Sequence, residues 1–201
     1  MRLLILIIFS LLISCKSNQT KKEEIQKADC SLFNDKYIEY LMADKRDSAL
    51  YYIDKAIFCD PKDEFFKTEK IKLFLKYGNY SDAVEFAKKL SNDETPTYKM
   101  LYGILLLKQN NNVQADIVLD EAYTLLSEKT KFYDEGNSSL HFYRLGLDYY
   151  FKGKDYSLEM VEKYRENYTK EHDAQLADYI ENLITKEFSK DVLYKLYNIE
   201  D

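Results

Sequence analysis

The chain has no tryptophan, two prolines, five glycines, three cysteines and two histidines in 201 residues. So few glycines and prolines rule out collagen-like and low-complexity chains and leave too few tight turns for a β-sandwich or barrel. Without tryptophan, the common aromatic platform for sugars is missing. His141 and His172 have no cysteine, histidine or carboxylate at a recognisable metal-ligand spacing, so a surface or capping role is expected and no metal site is assigned. No G-x-S-x-G, H-E-x-x-H or phosphate-binding glycine loop occurs, which leaves no catalytic residue and no cofactor to nominate. Positive charge is also short: 29 Lys and Arg against 35 Asp and Glu give a net charge of −6, the opposite of a nucleic-acid binder. What is abundant is apolar residues at 46%, enough for a sizeable core, and 19 tyrosines.

The amino terminus reads as an address. Arg2 precedes an apolar run from Leu3 to Ile13 broken only by Ser10. As a helix it would cover about 16 Å, well short of the roughly 30 Å hydrocarbon core, so it fits a signal-peptide core better than a membrane span. The run ends at Leu12-Ile13-Ser14-Cys15, which resembles the bacterial lipobox. That resemblance implies cleavage after residue 14, diacylation of Cys15 and a durable lipid anchor in the bacterial cell envelope. Lys16 follows, not the aspartate that retains some lipoproteins at the inner membrane, so the outer membrane is the expected destination. Residues 16–29 are polar, with Ile25 their only large apolar side chain, and are expected to form a flexible tether. Fourteen such residues reach about 20 Å on average.

From residue 30 onward the apolar spacing is helical and it repeats. Ala83, Ala87 and Leu90 line one face behind the corner Gly78-Asn79-Tyr80. The same face returns as Ala49, Ile53 and Ala56, and as Ala115, Leu119 and Ala122 behind Asn110-Asn111-Asn112. Ala49 and Ala83 lie 34 positions apart, and Ala83 and Ala115 lie 32 apart. This pattern resembles the tetratricopeptide repeat, a helix–turn–helix unit of 34 residues. The resemblance implies an all-α, right-handed solenoid of helical hairpins over residues 30–201. Its repeats would be Cys30 to Asp63, Glu64 to about Thr95, Pro96 to Lys129, and a fourth from Ser139. Gly103 stands at the small position of a first helix, and Leu145-Gly146 with Tyr149 match the fourth; Tyr37 and Ile71 depart from the pattern. Amphipathic segments from Glu171 to Phe188 and from Ser189 onward suit C-terminal capping helices, with Ser189 the candidate N-cap. The longer connection Lys129 to Ser138 is the expected mobile loop.

With Cys15 lipidated, Cys30 and Cys59 remain, at the two ends that an antiparallel first hairpin brings together. They form either a disulfide, which an envelope location permits, or two separate thiols. The family's concave surface comes mostly from first helices. Projected onto this chain, it gives a candidate binding groove of Asn34, Ile38 and Leu41; Thr68, Lys72 and Lys76; Met100, Ile104 and Lys108; and Tyr143, Leu147 and Tyr150. Such a groove suits a peptide helix or an extended segment; the alternative is that these side chains pack against the protein's own terminal helices. The expected role is a non-catalytic, membrane-anchored scaffold for a protein or peptide partner. An envelope-assembly component and a toxin-immunity lipoprotein are variants of it. An envelope hydrolase is the rival class, which a pocket pairing His141 with a buried carboxylate would favour.

Overall fold

The computed structural model describes residues 30–92 and 95–199, all of whose regular structure is helical. The signal peptide, Cys15 and the tether up to residue 29 lie outside the described residues. The helices are α1 (30–42), α2 (Arg46–Cys59), α3 (Glu64–Lys76), α4 (Tyr80–Ser91), α5 (Pro96–Lys108), α6 (Asn112–Lys129), α7 (Ser138–Lys152), α8 (Lys154–Asn167), α9 (Glu171–Lys186) and α10 (Ser189–Leu196). One 3-10 turn, Glu135–Asn137, precedes α7. The chain divides into two compact units, 1–78 and 79–201, and the division falls inside the second expected repeat.

Local chemistry sets the corners. Asp44, Asn110 and Asn198 each adopt a left-handed conformation, with φ of 53°, 60° and 52°. Asp and Asn enter this region more readily than other residues with a side chain. The next N–H in each case, of Lys45, Asn111 and Ile199, donates to the carbonyl five residues back, closing the helix end. The Asp63 side chain accepts the Phe65 N–H to cap α3, and Pro96 opens α5 where its missing N–H costs nothing. Ser189 lies one residue inside α10; Phe188 holds the capping position and makes no side-chain bond there.

In the first unit, α1, α2 and α3 enclose Tyr37, Ala49, Ile53, Ala56, Phe66 and Leu73. Tyr40 stacks on Tyr52 at 5.3 Å. Tyr37 occupies the position where the repeat pattern places a small residue, so the two alanines of α2 supply the space. Cys30 and Cys59 form a disulfide with their Cα atoms 5.5 Å apart, joining the start of α1 to the end of α2.

In the second unit each helix from α4 to α10 packs against the next, and α10 also returns against α7 and α5. The alanine seam of α6 is fully buried. Across it stands Gly103, where a methyl group would come within 2.7 Å of Leu119 Cγ. Alanine normally outscores glycine inside a helix by up to about 1 kcal/mol. Here the overlap reverses the sign, and Gly103→Ala is expected to lower stability by about 1–2 kcal/mol in urea unfolding.

Candidate functional site

Six of the projected groove residues lie in the first unit. Their helices are tied side by side: the Tyr37 hydroxyl donates to Glu69 at 3.1 Å, and Lys76 Nζ donates to the Leu41 carbonyl at 3.4 Å. The Tyr77 hydroxyl donates to Asp44 at 2.9 Å. Burial, and then the Glu69 carboxylate, push the Tyr37 hydroxyl far above its ordinary range, so it stays a neutral donor. Ile38 is 41% exposed and Met42, one turn on, is 83% exposed; Leu41 and Asn34 are half-buried. Asn34 Oδ1 is buried with no hydrogen-bond partner among the described residues. On α3, Lys72 pairs with Glu69 at 3.0 Å and Thr68 bonds back to the Glu64 carbonyl. The result is an accessible strip on α1 and α3, apolar along one helix and carrying lysines paired with Glu69 and Asp44 along the other.

The other six lie in the second unit, and the structure corrects the reading of three of them. Met100, Ile104 and Leu147 have no exposed surface and belong to the core. Lys108 sits over the Tyr194 ring at 4.7 Å, and Tyr143 stacks on Tyr197 at 5.1 Å. Tyr150 donates to Asp116 at 2.5 Å. For Lys108 and Tyr143 the reason is the C-terminal segment around α10, whose Leu193 and Leu196 also approach Gly146, where even a methyl group would overlap Leu196 Cδ1. The Tyr197 hydroxyl donates to the Thr97 carbonyl at 2.7 Å and pins the end of this segment to α5. The chain itself therefore occupies part of the surface that helical projection assigns to a partner.

His141 is buried rather than surface-exposed. Its ring stacks on Tyr133 at 4.5 Å, meets Tyr168 at 5.5 Å, and faces the Phe132 carbonyl at 3.5 Å instead of a carboxylate. The same cluster pins the connection expected to be mobile. The Tyr168 hydroxyl donates to the Asp134 carbonyl, Asn137 Nδ2 to the Lys129 carbonyl, and Arg144 to Thr130 Oγ1. Beside it, buried Asp148 accepts the Tyr123 hydroxyl at 2.7 Å and lies 3.5 Å from Arg144 Nε.

Burial lowers the His141 pKa from 6.5 to about 4, assisted by the Arg144 charge. A depressed histidine adds stability above its unfolded pKa and loses it as acid protonates the unfolded chain first. Between pH 6.5 and 4, His141 should thus account for a loss of up to about 3 kcal/mol. His141→Phe, which keeps the ring stack, should show a correspondingly shallower loss in urea unfolding at the two pH values.

An open depression of about 410 Å³ lies between α4, α5 and α6, lined by Ser91, Asn92, Lys99, Asp120, Glu121, Thr124 and Leu125. Lys99 and Glu121 neutralise each other at 2.7 Å. Among the described residues no group of histidine, cysteine and carboxylate side chains is placed to hold a metal ion. No protein-family model, curated protein or solved structure matches the chain.

Proposed function

We propose that this protein is a lipid-anchored scaffold of the bacterial cell envelope that binds a protein or peptide segment without chemistry of its own. In this reading Cys15 carries the lipid and the helical hairpins are of the tetratricopeptide type, whose stacking in that family is right-handed, closed by α9 and α10. The supporting observation is the accessible strip of Ile38, Leu41, Lys72 and Lys76 in the first unit. The apolar ridge fits the apolar face of a partner segment, while Lys72 and Lys76 are already paired with Glu69 and Asp44. Anchoring confines the strip to a plane and raises its effective concentration toward membrane-bound partners.

The test has two arms. In cells, Cys15→Ala should move the protein from the membrane to the soluble fraction; continued membrane association would remove the anchor. A photo-crosslinking amino acid at Ile38 should trap a discrete adduct that one at Tyr143, beneath Tyr197, does not. Equal labelling from both positions, or none from Ile38, would count against the strip.

A further inference from the structure

The first unit has two ends, and they differ. Because α1 and α2 form a hairpin closed by the Cys30–Cys59 disulfide, the start of α1, the end of α2 and, across the short corner 60–63, the start of α3 share one end. That end carries three exposed large apolar side chains from three different helices: Leu32 at 56%, Phe58 at 87% and Phe65 at 52% exposure. The intervening corner adds Pro61 and Lys62, both exposed. Two of the nearby carboxylates make local contacts at the surface: Asp60 Oδ1 accepts the Lys62 N–H and Asp63 Oδ1 accepts the Phe65 N–H.

This is also the end from which the chain departs toward its amino terminus. Residues 16–29 connect Cys30 to Cys15, and fourteen residues span at most about 50 Å whatever their conformation. If Cys15 holds a lipid, the end bearing Phe58 lies within about 50 Å of the bilayer and is closer to it along the chain than the end bearing Met42.

We propose that Leu32, Phe58 and Phe65 form a membrane-docking tip that inserts into the headgroup–acyl boundary of the bilayer carrying the anchor. The proposal rests on the lipid-anchor reading and adds to it an orientation: the first unit stands with its disulfide end down and its far end, with Met42, in water. Apolar side chains of this size gain from leaving water for the interface, and a nearby anchor removes most of the entropy cost of reaching it. The corner holds Asp60, Asp63 and Glu64 against Lys62, so docking is apolar in character and suits neutral headgroups. It should therefore be indifferent to salt, unlike a polybasic contact.

The absence of tryptophan makes the test direct. The full lipidated chain is reconstituted into phosphatidylethanolamine–phosphatidylcholine vesicles as Phe58→Trp and, separately, as Met42→Trp. Met42 is comparably exposed, but lies at the opposite end of α1, about 18 Å away along the helix. Brominated lipids should quench the tryptophan at 58 at least about twofold more than the one at 42, at low and high salt alike. Phe65→Asp should abolish the difference while leaving vesicle flotation intact. Flotation with equal, weak quenching at both positions would overturn the tip and leave the anchor standing. Loss of flotation would overturn the anchor, and the tip with it. A blue shift at position 58 that follows protein density and ignores brominated lipid would assign the tip to a second copy and overturn the membrane proposal.

Discussion

Replacing Asp148 by alanine is expected to destabilise the second unit by about 3–5 kcal/mol, the usual cost of stranding a buried charge. Asp148 is 1% exposed on α7, and its carboxylate accepts the Tyr123 hydroxyl from α6 at 2.7 Å. Arg144, one turn earlier, places Nε 3.5 Å from the other carboxylate oxygen, while its terminal nitrogen donates to Thr130 Oγ1 at 2.8 Å. Alanine would leave a largely buried guanidinium without its counter-charge and a tyrosine hydroxyl without an acceptor. Asp148→Asn also removes the counter-charge of Arg144 but keeps the acceptor for Tyr123, so it should cost about 1 kcal/mol less than alanine. Urea unfolding of the three proteins checks the order; equal stabilities for wild type and the alanine variant would refute it.

The pH dependence separates this carboxylate from its histidine neighbour. Burial raises the Asp148 pKa, and only partly do the Tyr123 hydrogen bond and Arg144 offset it. A carboxyl raised in the folded state takes up its proton there before the unfolded chain does, so its own contribution improves toward acid. His141 acts in the opposite direction. Asp148→Asn should accordingly steepen the acid loss of stability, whereas His141→Phe should flatten it.

The helices and their close contacts were legible in the sequence because both depend on residues near one another along the chain. Ala115, Leu119 and Ala122 announce a buried seam by spacing alone, and Gly103 falls where that seam needs room. The surface was harder to read. Helical projection puts Lys108 and Tyr143 on a common face but says nothing of what covers it. The cover, α10, arrives from far along the chain, and its meeting with Gly146 obeys no local rule. The connection after α6 holds contacts that its composition does not announce, for the same reason. Its composition is that of a loop, yet Tyr168 hydrogen-bonds to Asp134 from 34 positions away and meets the Tyr133 ring at 5.8 Å. His141 is buried by that same pair of rings, so its isolation in the sequence pointed outward when the fold turns it in.

Breaking the Cys30–Cys59 bond should cost about 3–4 kcal/mol, the loop-closure entropy for a link spanning 29 positions. The effect is large relative to what it protects. The described part of the first unit has three short helices, and a core that small rarely supplies more than about 3–5 kcal/mol. Helix α1 is 13 residues long, marginal as an isolated helix. Without the bond it would be held by Tyr37 and its hydrogen bond to Glu69, the Lys76 bond to the Leu41 carbonyl, and the Tyr40–Tyr52 stack. Hydrogen exchange on the full chain should therefore show α1 to α3 losing most of their protection when reductant is added, or in the Cys30→Ser/Cys59→Ser double variant. Amides of α5, α6 and α7, whose core contains no cysteine, should retain theirs. Uniform loss across both units would mean that the chain unfolds as a single cooperative body. Unchanged protection in α1 would mean that aromatic packing alone holds the hairpin, and the entropic account of the crosslink would then fail.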